Sequence, residues 1–270
     1  MDTSLTQSLI LGLVQGLTEF IPISSTAHLR IIPEILGWED PGTEFSAVLQ
    51  IGTLIAVFVY FRHDILKISK AALISLKKCN LFYTTDSRIA WGIVTGTIPI
   101  VFFGLFFKDF IKNEARQLWI IGLSLIVLAT FLYLSEKFSK RNLNISEINF
   151  WQIQLIGLTQ VLALIPGCSR SGSTIMGGFF VGLNRESSAR FSFLLGLPAI
   201  LGSSLFELNE LIKVGIGSHD YAKLAVGIFF AFLSGYLSIN FFLRIIRIYG
   251  TLFFVIYRII LGVLILVFFV

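Results

Sequence analysis

The sequence predicts an all-α polytopic integral membrane protein in which six spanning helices and two re-entrant helical hairpins form an inverted-topology repeat. Three observations carry this expectation. Hydrophobic residues make up 55% of the 270-residue chain against 14% charged, and the mean hydropathy is +0.85, values outside the range of soluble domains. Apolar stretches long enough to cross a bilayer recur along the chain. Two polar breaks, Ile21 to His28 and Ile165 to Thr174, interrupt other apolar segments, where irregular backbone is hardest to accommodate.

A helix needs roughly 20 apolar residues to cross the hydrocarbon core. Six stretches meet that length, at about 43–61, 88–107, 117–136, 188–210, 221–242 and 249–269. Four shorter ones, about 4–20 and 25–36, then 148–165 and 171–183, are joined in pairs by the breaks. These pairs are expected to be the re-entrant hairpins, with their tips buried in protein or lining a wet cavity. The pattern is duplicated. Gly12-Leu13-Val14-Gln15 leads into the first break and Gly157-Leu158-Thr159-Gln160 into the second, and later runs from Phe45-Ser46 to Gly52 and from Phe191-Ser192 to Gly196 echo each other. The chain is therefore read as a single transmembrane domain, 1–270, with repeats of about 4–136 and 148–269. Each repeat holds one hairpin and three spans, an odd number, so the second copy must enter the membrane from the opposite side.

The N-terminus has no basic region ahead of its apolar run, so the chain is expected to start near Met1 without a cleaved leader. Cys79 and Cys168 stand far apart and are read as free thiols. The net charge of +5 lies between the spans, as a topology signal would, which argues against nucleic acid as a partner. Arg62, Lys67, Lys70, Lys77, Lys78 and Arg88 fall on one side with Lys137, Lys140, Arg141, Arg185, Arg244 and Arg247. That side is expected to be cytoplasmic. The other face carries chiefly Lys108, Lys112, Arg116, Lys213 and Lys223, and the termini and the first hairpin's mouth are placed there, outside.

Within the first break, Gln15 and Glu19 are four apart and share a helical face. A carboxylate at membrane depth reads as functional by default; the plain alternative is a structural Glu paired with a buried base. Pro22 ends one half-helix, and Ser24, Ser25 and Thr26 offer an N-cap and free amides at the start of the next. Such a start suits a phosphate. Ser25 and His28, three apart, could act as hydroxyl nucleophile and base. His63 and His219 fall in expected loops, where solvation suffices to explain them.

The second break supplies positive charge. Arg170 stands among Ser169, Ser171, Ser173 and Thr174, and Gly167 and Gly172 allow a tight backbone. A guanidinium fork with these hydroxyls suits phosphoryl oxygens. The stretch brushes against a nucleotide-binding P-loop but lacks its lysine and a preceding strand. Arg258, near the middle of the last span, needs a partner: Glu19, a substrate phosphate, or a structural neighbour on another helix. Gln160, the counterpart of Gln15, is expected to bond between the hairpins.

The stretches Gln15 to His28 and Pro166 to Thr174, in this order, resemble the two motifs of the bacterial undecaprenyl-diphosphatase, or bacitracin-resistance, family, and the likeness extends over essentially the whole chain. The resemblance implies hydrolysis of undecaprenyl diphosphate to undecaprenyl phosphate and inorganic phosphate, recycling the lipid carrier of cell-wall synthesis in the bacterial plasma membrane. It implies a divalent cation, Mg²⁺ or Ca²⁺. It puts the family's acidic motif on Gln15 and Glu19, its serine and histidine on Ser25 and His28, and its arginine on Arg170. Many family members carry Glu where this chain has Gln15, so Glu19, with Gln15 beside it, is the expected metal ligand. Ser24, Thr26, Ser169, Ser171, Gly172, Ser173 and Thr174 are expected to bind the substrate. The nucleophile stays open among Ser25, His28 and a water activated by Glu19 and the metal. Membrane lipids and a homodimer complete the expected partners. The rival function is transport: inverted repeats with broken helices also build carriers of lipid phosphates or anions.

Overall fold

The computed structural model describes residues 3–214 and 218–270; Met1 and Asp2, on which the expected chain start falls, lie outside the described residues. The elements are helices: α1 (Leu5–Glu19), α2 (Ser25–Leu36), α3 (Gly42–Tyr60), α4 (Arg62–Lys77), α5 (Thr85–Phe106), α6 (Lys108–Lys112), α7 (Leu118–Phe138), α8 (Phe150–Thr159), α9 (Arg170–Phe180), α10 (Arg185–Val214), α11 (Ser218–Tyr249) and α12 (Leu252–Phe268). No strand forms among the described residues. Several starts are written locally. Ser4 with Gln7, Thr84 with Ser87 and Asn149 with Gln152 form reciprocal capping boxes that open α1, α5 and α8, each satisfying two amides that the helix cannot bond itself.

Five helical stretches are long and apolar enough to cross a bilayer: Gly42–Tyr60, Thr85–Phe106, Leu118–Phe138, Arg185–Lys213 and Asp220–Tyr249. The chain is a multi-pass membrane protein. The expected sixth span begins later than the sequence suggested, because Gly250 breaks the helix at φ +71°. The remaining α12 has 17 residues, about 26 Å at the usual helical rise. The segment after α3, expected as a basic loop, is instead the 16-residue helix α4. Its Ile65 and Ile68 pack on the core while Leu66, Leu73 and Leu76 stay exposed, and Trp91 of α5 donates to the Ser75 hydroxyl at 2.9 Å. His63 therefore lies on a helix, exposed, rather than in a loop. The backbone of His219 lies in the first turn of α11, and its side chain is outside what is described.

Around α1 pack α11 and α3; around α8 packs α5; α9 rests on α10 and α7, and α7 on α12. Two of these approaches require glycine. A Cβ on Gly12 of α1 would run into the backbone of Gly227 in α11, and one on Gly157 of α8 would stand 2.6 Å from the Cα of Gly96 in α5. With no driving force from water inside a bilayer, such close backbone packing is what holds helices together. A train of rings then seats the first break: Phe20 lies edge-on to Phe193 with centroids 5.2 Å apart, Phe193 lies 6.0 Å from Phe242, and Phe242 lies 5.4 Å from Phe254. Each ring contact of this kind contributes about 1 kcal/mol beyond area burial.

Candidate active site

The two breaks have the same local geometry. Ser24 caps α2 at φ 72° and Ser169 caps α9 at φ 67°, a left-handed conformation costing a non-glycine residue about 1–3 kcal/mol. Each serine accepts from the amide three residues on, Ala27 at 3.3 Å and Gly172 at 3.1 Å. Each also bonds the hydroxyl two residues on, Thr26 at 3.1 Å and Ser171 at 3.0 Å. The residue that follows the strained serine, Ser25 in one break and Arg170 in the other, is thereby placed at the first position of a helix.

Those two residues meet at Glu19. The Ser25 hydroxyl donates to Glu19 Oε2 at 2.7 Å, Gln15 Nε2 donates to the same oxygen at 2.7 Å, and Arg170 Nη2 donates to Glu19 Oε1. Ser171 of the second break also reaches the Ile21 carbonyl of the first at 3.3 Å. A cavity of about 410 Å³ opens over the carboxylate, lined at its floor by Glu19, Ser25, Thr26, Ser169 and Arg170. Its walls come from α5, through Ile100, Val101 and Leu105, and from α10, through Ala199 and Phe206; Lys108 and Arg116 also line it.

Other expectations are placed differently. His28 shares no hydrogen bond with Ser25: Nδ1 meets the Ser24 carbonyl at 2.7 Å and Nε2 meets the Tyr257 hydroxyl at 2.6 Å, the two rings lying nearly parallel. Ser24, Ser171, Gly172, Ser173 and Thr174 do not line the cavity. Ser173 is fully buried with its hydroxyl unpartnered, and Thr174 bonds the Ser192 hydroxyl at 2.6 Å and its own helix at the Arg170 carbonyl. Gln160 is fully buried, yet its amide finds no partner among the described residues, so the expected bond between hairpins does not form there.

Arg258 makes no hydrogen bond or ion pair with Glu19 among the described residues. Completely buried, it donates to main-chain carbonyls: Pro22 at 3.0 Å, Gly167 at 2.9 Å, Cys168 at 3.1 Å and Leu125 at 3.3 Å. It ties both breaks together where their half-helices leave carbonyls unsatisfied. Sequence reasoning passed over Tyr257, its neighbour, and Gln50, Lys108 and Arg116 in the cavity wall; a polar Gln50 inside an apolar span was the available signal.

The described residues hold no cluster of three His, Cys, Asp or Glu side chains suited to a metal. What the protein offers a cation here is the Glu19 carboxylate on the floor and the Gln15 amide oxygen beside it, which is fully buried, is not part of the cavity lining, and has no hydrogen-bond partner among the described residues. That set fits a hard divalent ion that takes its other oxygens from a phosphorylated substrate and water.

Helices of bilayer length around a polar floor of carboxylate, hydroxyl and guanidinium define an integral membrane protein with a charged cavity inside its apolar shell. The chain belongs to the family described as Bacitracin resistance protein BacA, whose model matches residues 8–264. Relatives named undecaprenyl-diphosphatase occur in Myxococcus xanthus, 48% identical over 98% of this chain and 89% of the relative, and in Chlorobium phaeobacteroides, 48% identical over 96% and 95%. A third, from Chlorobaculum tepidum, is 47% identical over 96% of this chain and 95% of its own.

Proposed function

We propose that this chain hydrolyses undecaprenyl diphosphate to undecaprenyl phosphate and inorganic phosphate, recycling the carrier lipid of cell-wall synthesis. The observation that carries the reading is the convergence of Ser25 and Arg170, one from each break, on the Glu19 carboxylate at the floor of one cavity. Family membership and the full-length relatives agree with it.

In the mechanism we favour, the diphosphate rests on the two helix starts, with its oxygens held by Arg170 and the amides that follow Ser24 and Ser169. The polyprenyl chain runs out between α5, whose Val101 and Leu105 are exposed, and α10. Ser25 Oγ attacks the terminal phosphorus while Glu19 takes its proton; the bond to the bridging oxygen breaks and the lipid phosphate leaves. Water then attacks the phosphoserine, and Glu19 returns the proton to Ser25. The hydrogen bond from Ser25 to Glu19 makes Glu19, rather than His28, the base we assign. His28 holds the Ser24 carbonyl and so the pose of the helix start. A divalent cation, Mg²⁺ or Ca²⁺, would be held by Glu19 and Gln15 Oε1 with the diphosphate, where it supplies positive charge to the phosphoryl oxygens.

We read α1–α2 and α8–α9 as re-entrant hairpins of an inverted repeat, with α12 as the sixth span. The matched serine caps and the matched glycine contacts, Gly12 on Gly227 and Gly157 on Gly96, support this. The site is assigned to the outer face of the bacterial plasma membrane from the Lys/Arg asymmetry of the loops. A homodimer is the assembly carried forward, to be decided by light scattering in detergent.

The test is phosphate release from a polyprenyl diphosphate by purified protein, with and without chelator. Wild type is expected to release phosphate in a metal-dependent way, and Ser25→Ala, Glu19→Gln and Arg170→Gln to lose it. A folded wild type that binds the lipid but releases nothing would move the reading to lipid-phosphate transport.

A further inference from the structure

A second polar cavity, of about 600 Å³, lies at the other end of the bundle, lined by Lys140, Arg141, Asn184, Arg185, Glu186 and Arg247. It is far from the first: Arg116, before the start of α7, lines the active-site cavity, whereas Lys140 follows the end of that 21-residue helix. Four cations against one acid line it. Its walls are built rather than incidental. Leu143 and Leu183 bridge the loop after α7 to the turn after α9, the Leu143 amide bonding the Gly182 carbonyl at 3.0 Å and the Asn184 amide the Leu143 carbonyl at 2.9 Å.

Beneath the cavity Glu136, at 8% exposure, acts as an anchor. It accepts from Arg185 Nε at 2.6 Å, pairs with Arg141 at 3.5 Å, and accepts from the Thr251 amide at 2.8 Å and the Thr251 hydroxyl. Arg185 is thus held by one edge, and its Nη groups make no hydrogen bond among the described residues. Gly250 is where the guanidinium passes: a Cβ there would stand 2.6 Å from Arg185 Nη2. Lys140 and Arg247 are exposed and form no ion pair among the described residues. A carboxylate that only neutralised this corner would leave no reason for two further cations to face the same space.

The surroundings say what kind of anion fits. Phe138, two residues before Lys140, is 76% exposed, and Tyr249, two after Arg247, is 71% exposed, at the ends of α7 and α11 with exposed Leu252 and Phe253 opening α12. Aromatic and aliphatic side chains at helix ends mark the headgroup level of a bilayer. We infer that this cavity binds the phosphate headgroup of an anionic membrane phospholipid, with the acyl chains lying along Phe138, Leu252 and Phe253. Arg185 and Arg141, oriented by Glu136, supply fixed donors, while Lys140 and Arg247 supply charge. The site is separate from the catalytic floor and does not depend on how the reaction proceeds.

The experiment uses full-length protein in nanodiscs of equal phosphatidylglycerol and phosphatidylcholine, released into native mass spectrometry. Wild type is expected to keep a phosphatidylglycerol adduct in preference to phosphatidylcholine. Lys140→Gln with Arg247→Gln, both on exposed side chains, is expected to weaken that preference about 30-fold, with phosphate release unchanged; Arg247→Glu alone should do the same. Arg170→Gln controls for lipid held in the active site and should leave the adduct. Equal retention of the two lipids, or an adduct that survives the double variant, would overturn the inference. So would free inorganic phosphate occupying the wild-type site with no lipid retained.

Discussion

Arg258 Nη1 donates to the Pro22 carbonyl at 3.0 Å across 236 residues of sequence, and the same guanidinium holds Gly167 and Cys168 in the second break. One buried cation thus registers the two strained turns against each other. Its hydrogen bonds go to carbonyl dipoles instead of a carboxylate.

Arg258→Met should leave these carbonyls without donors and cost about 3–5 kcal/mol. Arg258→Lys, with one compact ammonium in place of the fork, should fold better but lose at least about tenfold in kcat because the turns drift apart. Thermal melting in detergent separates the stability effect from the kinetic one.

Tyr257→Phe removes the partner of His28 Nε2 while keeping the ring stack. If His28 positions the helix start rather than taking the Ser25 proton, activity should fall less than about tenfold. Glu19→Gln should fall by about 10²–10⁴. The ratio of the two losses in kcat, measured side by side, checks the assignment of Glu19 as base.

Gln15→Glu would put a second carboxylate one helical turn from Glu19. The cation concentration giving half-maximal phosphate release should drop about tenfold, since each added anionic ligand strengthens binding of a hard divalent ion. A metal titration from chelated protein reads this directly.

Arg116 lines the cavity and is held by Asp40, at 2.8 and 2.7 Å to its two oxygens. An arriving diphosphate competes with Asp40 for this guanidinium. Arg116→Gln should raise KM about tenfold with kcat nearly unchanged, and Asp40→Asn should lower KM. Both effects should shrink as salt is raised.

Gly157→Ala places a methyl against the Gly96 backbone and should cost about 1–3 kcal/mol by forcing α8 from α5. Unfolding in detergent gives the value; Gly202→Ala, with open space around its Cβ, is the comparison.

Much of the site was legible. Glu19, Ser25 and Arg170 stood out because polar groups inside apolar segments are conspicuous, and Pro22 with the serine clusters announced helix ends. Gln15 and Glu19 share a face through helical periodicity alone, and they do bond. Ser25 and His28, with the same kind of spacing, do not, because Tyr257 arrives from α12 to take the imidazole. The helix α4 was hidden by its charge: its lysines read as a loop, although it contains no Gly or Pro to stop a helix.

By itself, then, the sequence determined the membrane class, the five long helices and the two breaks, because hydrophobicity, capping and turn residues act over a few neighbours. Tertiary structure decided which polar groups meet. Arg170 reaches Glu19 over 151 residues and Tyr257 reaches His28 over 229, and such pairings depend on how helices seat against one another. The backbone contacts at Gly12 and Gly157 and the carbonyls gathered by Arg258 set that seating, and their partners lie too far along the chain to be named in advance.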